Sequence, residues 1–364
     1  MADTIQKQSK QKVFVGLSGG VDSSVTALLL LEQGFDVTGV FIKTWHPDFL
    51  QCDWKGERRD AMRVCAKLNI PFKFLDLEEV YKKEVVDYLV SEYKAGRTPN
   101  PDVMCNKSVK FGAFFNWALK QGADYIATGH YVIKKESAGK AHLFESIDPE
   151  KDQSYFLWTL PQTVLSKTLF PLGGLLKKDV RKIAKTHGLM TATKPDSQGI
   201  CFLGHVDIEE FLSHFIETKS GVVLNAKGEV VGSHNGALFY TLGQRHGFAI
   251  GSAEQGKHSQ YVLKKDVEQN TITVGEKELL EDVAVKYVTL GSVSWINKLP
   301  IDGTKLLARF RYHQEPFEVI IHIKENIFSV ECVIPQHSVA LGQSLVLYTA
   351  ERECLGGGII EETR

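Results

Sequence analysis

Gly16-Leu-Ser-Gly-Gly-Val-Asp-Ser23 is the stretch on which the reading of this chain turns. The run that enters it, Lys12-Val-Phe-Val-Gly-Leu17, is apolar and β-branched like a buried strand, and Val25-Thr-Ala-Leu-Leu-Leu-Leu31 behind it suits a helix lying on a sheet. Strand, glycine turn and helix start therefore follow one another. Gly19 and Gly20 can take positive φ and bring backbone close to an anion. Ser18, Ser23 and the first helical N–H groups offer donors at the positive end of the helix dipole. The expected ligand is phosphate.

No Gly-Lys-Ser/Thr follows at the spacing of a Walker loop. A second glycine stretch, Gly251-Ser-Ala-Glu-Gln-Gly256-Lys257, matches the first seven Walker positions but ends in His258 among strand-like segments, and it reads as a surface loop. Ser18-Gly-Gly-Val-Asp-Ser23 instead resembles the pyrophosphate loop of enzymes that split ATP between its α and β phosphates and make an adenylate.

Working outward, Asp36–Ile42 reads as a second buried strand, Glu57–Leu68 as a helix, Pro71–Leu75 as a third strand, and Glu78–Tyr93 and Val109–Lys120 as further helices. Asp124-Tyr-Ile-Ala-Thr-Gly-His130 closes the series as a strand running into a glycine. Strands alternating with helices predict an α/β fold, a doubly wound parallel sheet with ligands at the carboxyl ends of its strands. A polar hairpin pattern lies between Lys134 and Glu150, and Lys177–His187 reads as a helix closed by Gly188. From Gly221 the pattern becomes short strands, which predicts a small β-containing central domain over residues 210–278. A C-terminal β-barrel over residues 279–364 follows, leaving residues 1–209 as the nucleotide domain.

The 364 residues suffice for two or three domains, and 43 and 44 residues of opposite charge leave a net of -1, so composition alone does not signal nucleic acid. Local basic runs at Lys177–Lys185 and Lys305–Arg311 are the candidate RNA-facing clusters, although solvated faces explain such runs more often. The polar N-terminus has no signal core and no stretch reaches bilayer length, which points to a cytoplasmic protein without a membrane partner. The six cysteines form no Cys-x-x-Cys pair, and Cys65, Cys332 and Cys354 read as packing residues. His46, Asp48, Cys52 and Asp53, within the Trp45–Trp54 segment, match no usual metal spacing and read as a polar loop, so no metal site is expected.

Two thiols stand apart. Thr98-Pro-Asn-Pro-Asp102-Val-Met-Cys105-Asn-Lys107 sets a carboxylate and a thiol just ahead of the expected helix, where the dipole and Lys107 would favour thiolate. Pro195-Asp-Ser-Gln-Gly-Ile-Cys201-Phe-Leu-Gly204 holds the other in a glycine-bracketed loop, a poor place for a packing cysteine.

Over essentially its whole length the chain resembles the tRNA-specific 2-thiouridylases, the MnmA family. The residues that carry the resemblance are 16–24, Asn100–Lys107, Ala127–Tyr131, Lys151–Leu157, Asp196–Phe202, Arg311-Tyr312 and Gly342-Gln343-Ser344. The resemblance implies replacement of the C2 oxygen of the wobble uridine of tRNA by sulfur, at the expense of ATP with Mg²⁺. It implies a persulfide on Cys201, supplied by a sulfur-relay or cysteine-desulfurase-type protein, and attack by Cys105 that leaves a Cys105–Cys201 disulfide. Hydrogen sulfide as the attacking species is the alternative.

By the same resemblance Gly16, Leu17, Ser18, Gly19, Gly20, Val21, Asp22, Ser23, Ile42 and Gly129 surround ATP. Asn100, Pro101 and Asp102 line the target base, with Asp102 either a general acid or base or an Asx-turn acceptor beside Pro101. His130, Lys151, Asp152, Gln153, Arg311, Tyr312 and Gln343 fall on tRNA-contact positions, although His130 taken alone reads as a structural histidine. Two rivals stay open on sequence: an adenylating enzyme that transfers nitrogen, and a non-catalytic RNA-binding protein with an ATP-sensing domain.

Overall fold

The computed structural model describes residues 10–50, 53–196, 207–251 and 259–364. The chain divides into two units, Met1–Glu84 with Val103–Gly204, and Val85–Asp102 with His205–Arg364.

In the first unit, strands β1 (Lys12–Gly16), β2 (Asp36–Lys43), β3 (Phe72–Asp76) and β4 (Tyr125–Ala127) are joined by helices α1 (Val21–Glu32) and α2 (Trp54–Leu68) and by a longer helical crossover. A hairpin of β5 (Val132–Ser137) and β6 (Lys140–Glu145) turns through Ala138 and Gly139, both at positive φ as a two-residue turn requires. Strand β7 (Thr168–Leu169) completes a parallel sheet of order β3-β2-β1-β4-β7.

β1 is apolar at successive residues because both of its faces are covered. On one side Val13, Val15 and Leu17 pack with Ala27 and Leu30 of α1 and with Ala61 and Cys65 of α2. On the other Phe14 meets Trp117, ring centroids 5.8 Å apart. The opposite flank of α1, through Val21, Val25 and Leu28, packs on Tyr131, Leu172 and Leu189 and on Val180 and Ala184 of helix α3 (Lys177–Thr186). Covered on two flanks, α1 reads as an unbroken apolar run instead of a one-sided stripe. The Asp53 carboxylate accepts the Gly56 amide at 2.9 Å and caps α2, a structural use for one member of the polar loop. As expected, Cys65 is a core residue, and burial pushes its thiol up to about 11.

One boundary differs. The helix expected from Val109 starts at Pro101 and runs through Pro101–Met104, a π-helical Cys105–Phe114 and Phe115–Lys120. Asn100 Oδ1 accepts the Asp102 amide at 3.1 Å, so Asn100 acts as the cap and Pro101 takes the first helical position, where its missing N–H costs nothing. Cys105 therefore lies inside the helical run, buried, and not ahead of it.

In the second unit, β8 (Gly221–Leu224) and β9 (Val230–His234) form the expected hairpin. With β10 (Ala249–Ile250), β11 (Tyr261–Asp266) and β12 (Thr271–Gly275) they make a sheet of order β10-β9-β8-β12-β11. The glycine stretch resembling a Walker loop falls, apart from Gly251, outside the described residues.

The remaining strands of this unit are β13 (Val285–Trp295), β14 (Lys305–Arg309), β15 (Phe317–Lys324), β16 (Ile327–Gln336), β17 (Ser344–Tyr348) and β18 (Glu353–Thr363). They pair antiparallel in the order β13-β16-β15-β14-β17-β18, and β13 pairs with β18 to close a barrel. Its interior is filled by Val288, Leu306, Ile321, Val330, Leu345 and Leu347. Gly358 lets β18 close on β13, since a Cβ there would stand 2.9 Å from Leu290 Cβ.

Lys265 of β11 is the electrostatic weak point of this unit. Its ammonium donates to Tyr240 O at 2.8 Å, and burial lowers its pKa to about 8. Between pH 8 and 10.5 the unfolded chain keeps this proton while the folded chain has lost it, so this residue makes stability rise with pH over that window. In thermal melts across it, the gap between Lys265→Met and the unaltered protein is expected to shift toward the unaltered protein as pH rises. A gap that does not move with pH would contradict a buried, neutralised amine.

Candidate functional site

The glycine turn sits at the carboxyl edge of the parallel sheet. Gly16 ends β1, and a Cβ on it would stand 3.6 Å from Phe114 and 3.9 Å from both Ile42 and the Ala127 carbonyl, so Ile42 lies at the same edge. Leu17 and Val21 are buried beneath the turn. Gly19 has φ +74, and a Cβ there would stand 2.6 Å from the Glu57 carbonyl of α2. Ser18 N–H donates to Ser23 Oγ at 3.2 Å, Gly20 N–H to Ser18 Oγ at 3.3 Å, and Ser24 Oγ to Gly20 O at 2.7 Å. The serines thereby hold the turn on itself, and Gly20, at the cap position of α1, supplies no side chain to its first amides. From the neighbouring strand Gly129 approaches so closely that a Cβ on it would meet Ser23 N at 2.9 Å. Such a turn, at the positive end of a twelve-residue helix, is built to receive an anion.

Asp22 is the charged residue of this turn. Its carboxylate accepts Tyr131 OH at 2.7 Å and both of its oxygens lie 2.7 Å from Lys177 Nζ, at the start of α3. Burial, and then the Asp22 charge, push the Tyr131 phenol far above its ordinary pKa, so it stays a donor. Lys177 also reaches Asp196 at 3.0 Å, and Asp196 is further held by Lys151 at 2.8 Å and by Arg181. Burial would raise the Asp196 carboxyl, but hydrogen bonds and charge from Lys151 and Lys177 hold it down at about 2. Lys177, Tyr131 and Asp196 were not picked out as site residues from sequence. Lys177 was visible only as the first member of a basic run, and its contact with Asp22 spans 155 positions.

The positions expected to touch tRNA divide by environment. Lys151 takes part in the ion cluster just described. Asp152 is buried, its carboxylate accepting the Ser146 amide at 3.0 Å and Ser154 Oγ at 2.7 Å. Gln153 Oε1 accepts the Tyr131 amide at 3.1 Å. His130 is buried, bonded to Thr128 Oγ1 at 2.7 Å and packed against the rings of Phe111 and Phe170, which also touch each other. Burial, helped by Lys110, lowers its pKa well below the usual histidine value, so it is neutral. Asp152 and His130 are internal supports of the segment behind Asp22.

In the second unit two stretches, at Thr241 and at Leu341–Gln343, meet residues 97–99. Thr98 N–H donates to Leu341 O at 2.8 Å, Gln343 Nε2 donates to Thr98 O at 2.9 Å, and the hydroxyls of Thr98 and Thr241 stand 3.1 Å apart. Arg311 donates to Leu242 O at 2.8 Å and Ser338 O at 2.9 Å, beside the partly buried Tyr312. These bonds fix the backbone that leads into Asn100, Pro101 and Asp102. Among the described residues no cluster of His, Cys, Asp or Glu suits a metal ion, and no helix is long and apolar enough to cross a membrane. Cys201 and Cys52 lie outside the described residues.

A parallel sheet with this glycine loop at its carboxyl edge, followed in sequence by a β sheet and a barrel, defines an α/β protein of the pyrophosphate-loop type. The family model described as "tRNA methyl transferase HUP domain" matches residues 11–205, "tRNA methyl transferase PRC-barrel domain" residues 209–276, and "Aminomethyltransferase beta-barrel domain" residues 285–360. The chain is 43% identical over 358 residues to tRNA-specific 2-thiouridylase MnmA of Streptococcus equi subsp. zooepidemicus, covering 97% of this chain and 96% of that one. It is 45% identical to the protein of that name from Geobacillus thermodenitrificans, over 96% of this chain and 95% of the relative. With "tRNA-specific 2-thiouridylase MnmA 2" of Geobacillus kaustophilus it shares 46% identity at the same coverage. The chain belongs to the tRNA-specific 2-thiouridylase family.

Gly19→Ala should cost about 1–2 kcal/mol from its left-handed backbone alone, and more from the contact with the Glu57 carbonyl. A thermal melt is expected to show this loss together with at least tenfold weaker binding of a nucleotide. Unchanged nucleotide affinity would mean that the turn does not form the site.

Proposed function

We propose that this chain carries out the reaction its family is named for, replacing the C2 oxygen of a wobble uridine in tRNA with sulfur at the expense of ATP. The observation that carries the reading is 43% identity over 97% of the chain to a curated 2-thiouridylase. The loop Gly16–Ser23 and Asp22 supply the expected nucleotide site.

The C2 oxygen of uridine is a poor leaving group. In the proposed sequence it attacks the α-phosphorus of ATP; the α–β anhydride bond breaks, pyrophosphate leaves with the electron pair, and the N3 proton is lost. Mg²⁺, when bound with the nucleotide, neutralises phosphate charge. The Asp22 carboxylate beside the glycine turn is an oxygen donor suited to it.

The terminal sulfur of a persulfide on Cys201 then adds to C2, and AMP departs with the C2–O pair. Cys105 attacks the inner sulfur, the S–S bond breaks, and sulfur stays on the base while a Cys105–Cys201 disulfide forms for two-electron reduction. Asp102, in the first turn of its helix, is the proposed proton carrier near the uridine. Asn100, its cap, and Pro101 would line the base. Lys151, Arg311, Tyr312 and Gln343 are proposed to orient the tRNA, and a persulfide-bearing protein to deliver the sulfur. The cytoplasm, where such a tRNA is met, is the proposed location.

The test is incubation with ATP, Mg²⁺, a persulfide donor and unmodified tRNA, followed by nucleoside mass analysis. 2-Thiouridine is expected with the unaltered protein and is expected to vanish with Cys201→Ser and Cys105→Ser, while tRNA-stimulated release of pyrophosphate persists in Cys201→Ser. Full thiolation by Cys201→Ser would remove the persulfide role.

A further inference from the structure

Lys177 is held by two carboxylates at once, by Asp22 at 2.7 Å and by Asp196 at 3.0 Å, and its side chain is 13% exposed. Asp22 lies in the first turn of α1, beside the amides that would face the anion, and its charge is answered by this ammonium and by the Tyr131 hydroxyl. A polyphosphate accompanied by a divalent cation brings both competitors together: the anion draws the ammonium and the cation draws the carboxylate.

We propose that Lys177 is a counter-ion that nucleotide binding exchanges, leaving Asp22 for a nucleotide phosphate as the divalent cation takes its place on the carboxylate. The inference rests on the nucleotide reading of the site and adds a residue to it. The ammonium has little distance to travel, because Asp22 and the phosphate-facing amides belong to one helix turn. Asp196 keeps its second hold on Lys177 and, with Lys151 and Arg181 as its other partners, does not depend on Lys177 for its own place. The exchange makes cation and nucleotide binding reinforce each other, since each removes the partner that holds the other's ligand.

Calorimetric titration with α,β-methylene ATP and Mn²⁺ electron paramagnetic resonance on the full chain test this. Lys177→Met is expected to bind the nucleotide analogue with Mg²⁺ at least tenfold more weakly, yet to bind Mn²⁺ without nucleotide at least threefold more tightly, because Asp22 is no longer neutralised. Lys177→Arg is expected to restore most of the nucleotide affinity. Unchanged nucleotide affinity in Lys177→Met, no gain in its Mn²⁺ binding, or no recovery of nucleotide affinity in Lys177→Arg would each overturn the exchange. Failure of the unaltered chain to bind the analogue would instead overturn the nucleotide site itself.

Discussion

The contact between Asp22 and the pair Tyr131 and Lys177 is the constraint on which the first unit depends. It joins the start of α1 to the segment after β4 and to the start of α3, three places far apart in sequence. A lone carboxylate beside the positive end of a helix would already be favoured. Here it also receives a phenol that burial keeps protonated and an ammonium shared with Asp196, so the charge of the glycine turn is held from two sides. The apolar packing of α1 on both flanks supplies the rigidity that makes this geometry reproducible.

The glycines of the loop serve one purpose by two routes. Gly19 turns the chain through a left-handed conformation against the Glu57 carbonyl, and Gly129 lets a neighbouring strand end come within contact of the Ser23 amide. Any side chain at either place would push the first amides of α1 or the turn itself out of line. The shape of this edge thus rests on missing atoms as much as on the serines that close the turn.

The parallel sheet, the helix after the loop and the barrel strands were legible because each follows from local pattern: β-branched runs, a glycine turn, alternating strands. The start of the helix at Pro101 was written in Asn100-Pro101, a cap followed by the residue that suits a first helical position, but apolar periodicity pointed to Val109 instead. Side-chain roles that depend on distant partners were not legible. His130 is buried by Phe111 and Phe170, and Asp152 by the turn around Ser146 and Ser154, so two positions matched to RNA contact are internal here. Lys177 looked like one charge in a solvated run because nothing near it in sequence announces Asp22.

The clasp on residues 97–99 carries a consequence for how the chain is made. Thr98 finds its partners in Thr241, Leu341 and Gln343, the last of them 245 positions later in the chain. At roughly 5–20 residues per second of synthesis, on the order of ten to fifty seconds pass between the emergence of Thr98 and that of Gln343. Over that interval the backbone entering Asn100 lacks the hydrogen bonds that later fix it. A nascent chain can thus complete its glycine loop early, while the approach to Asp102 is set only once Gln343 has left the ribosome, which ties maturation of this turn to synthesis of the barrel.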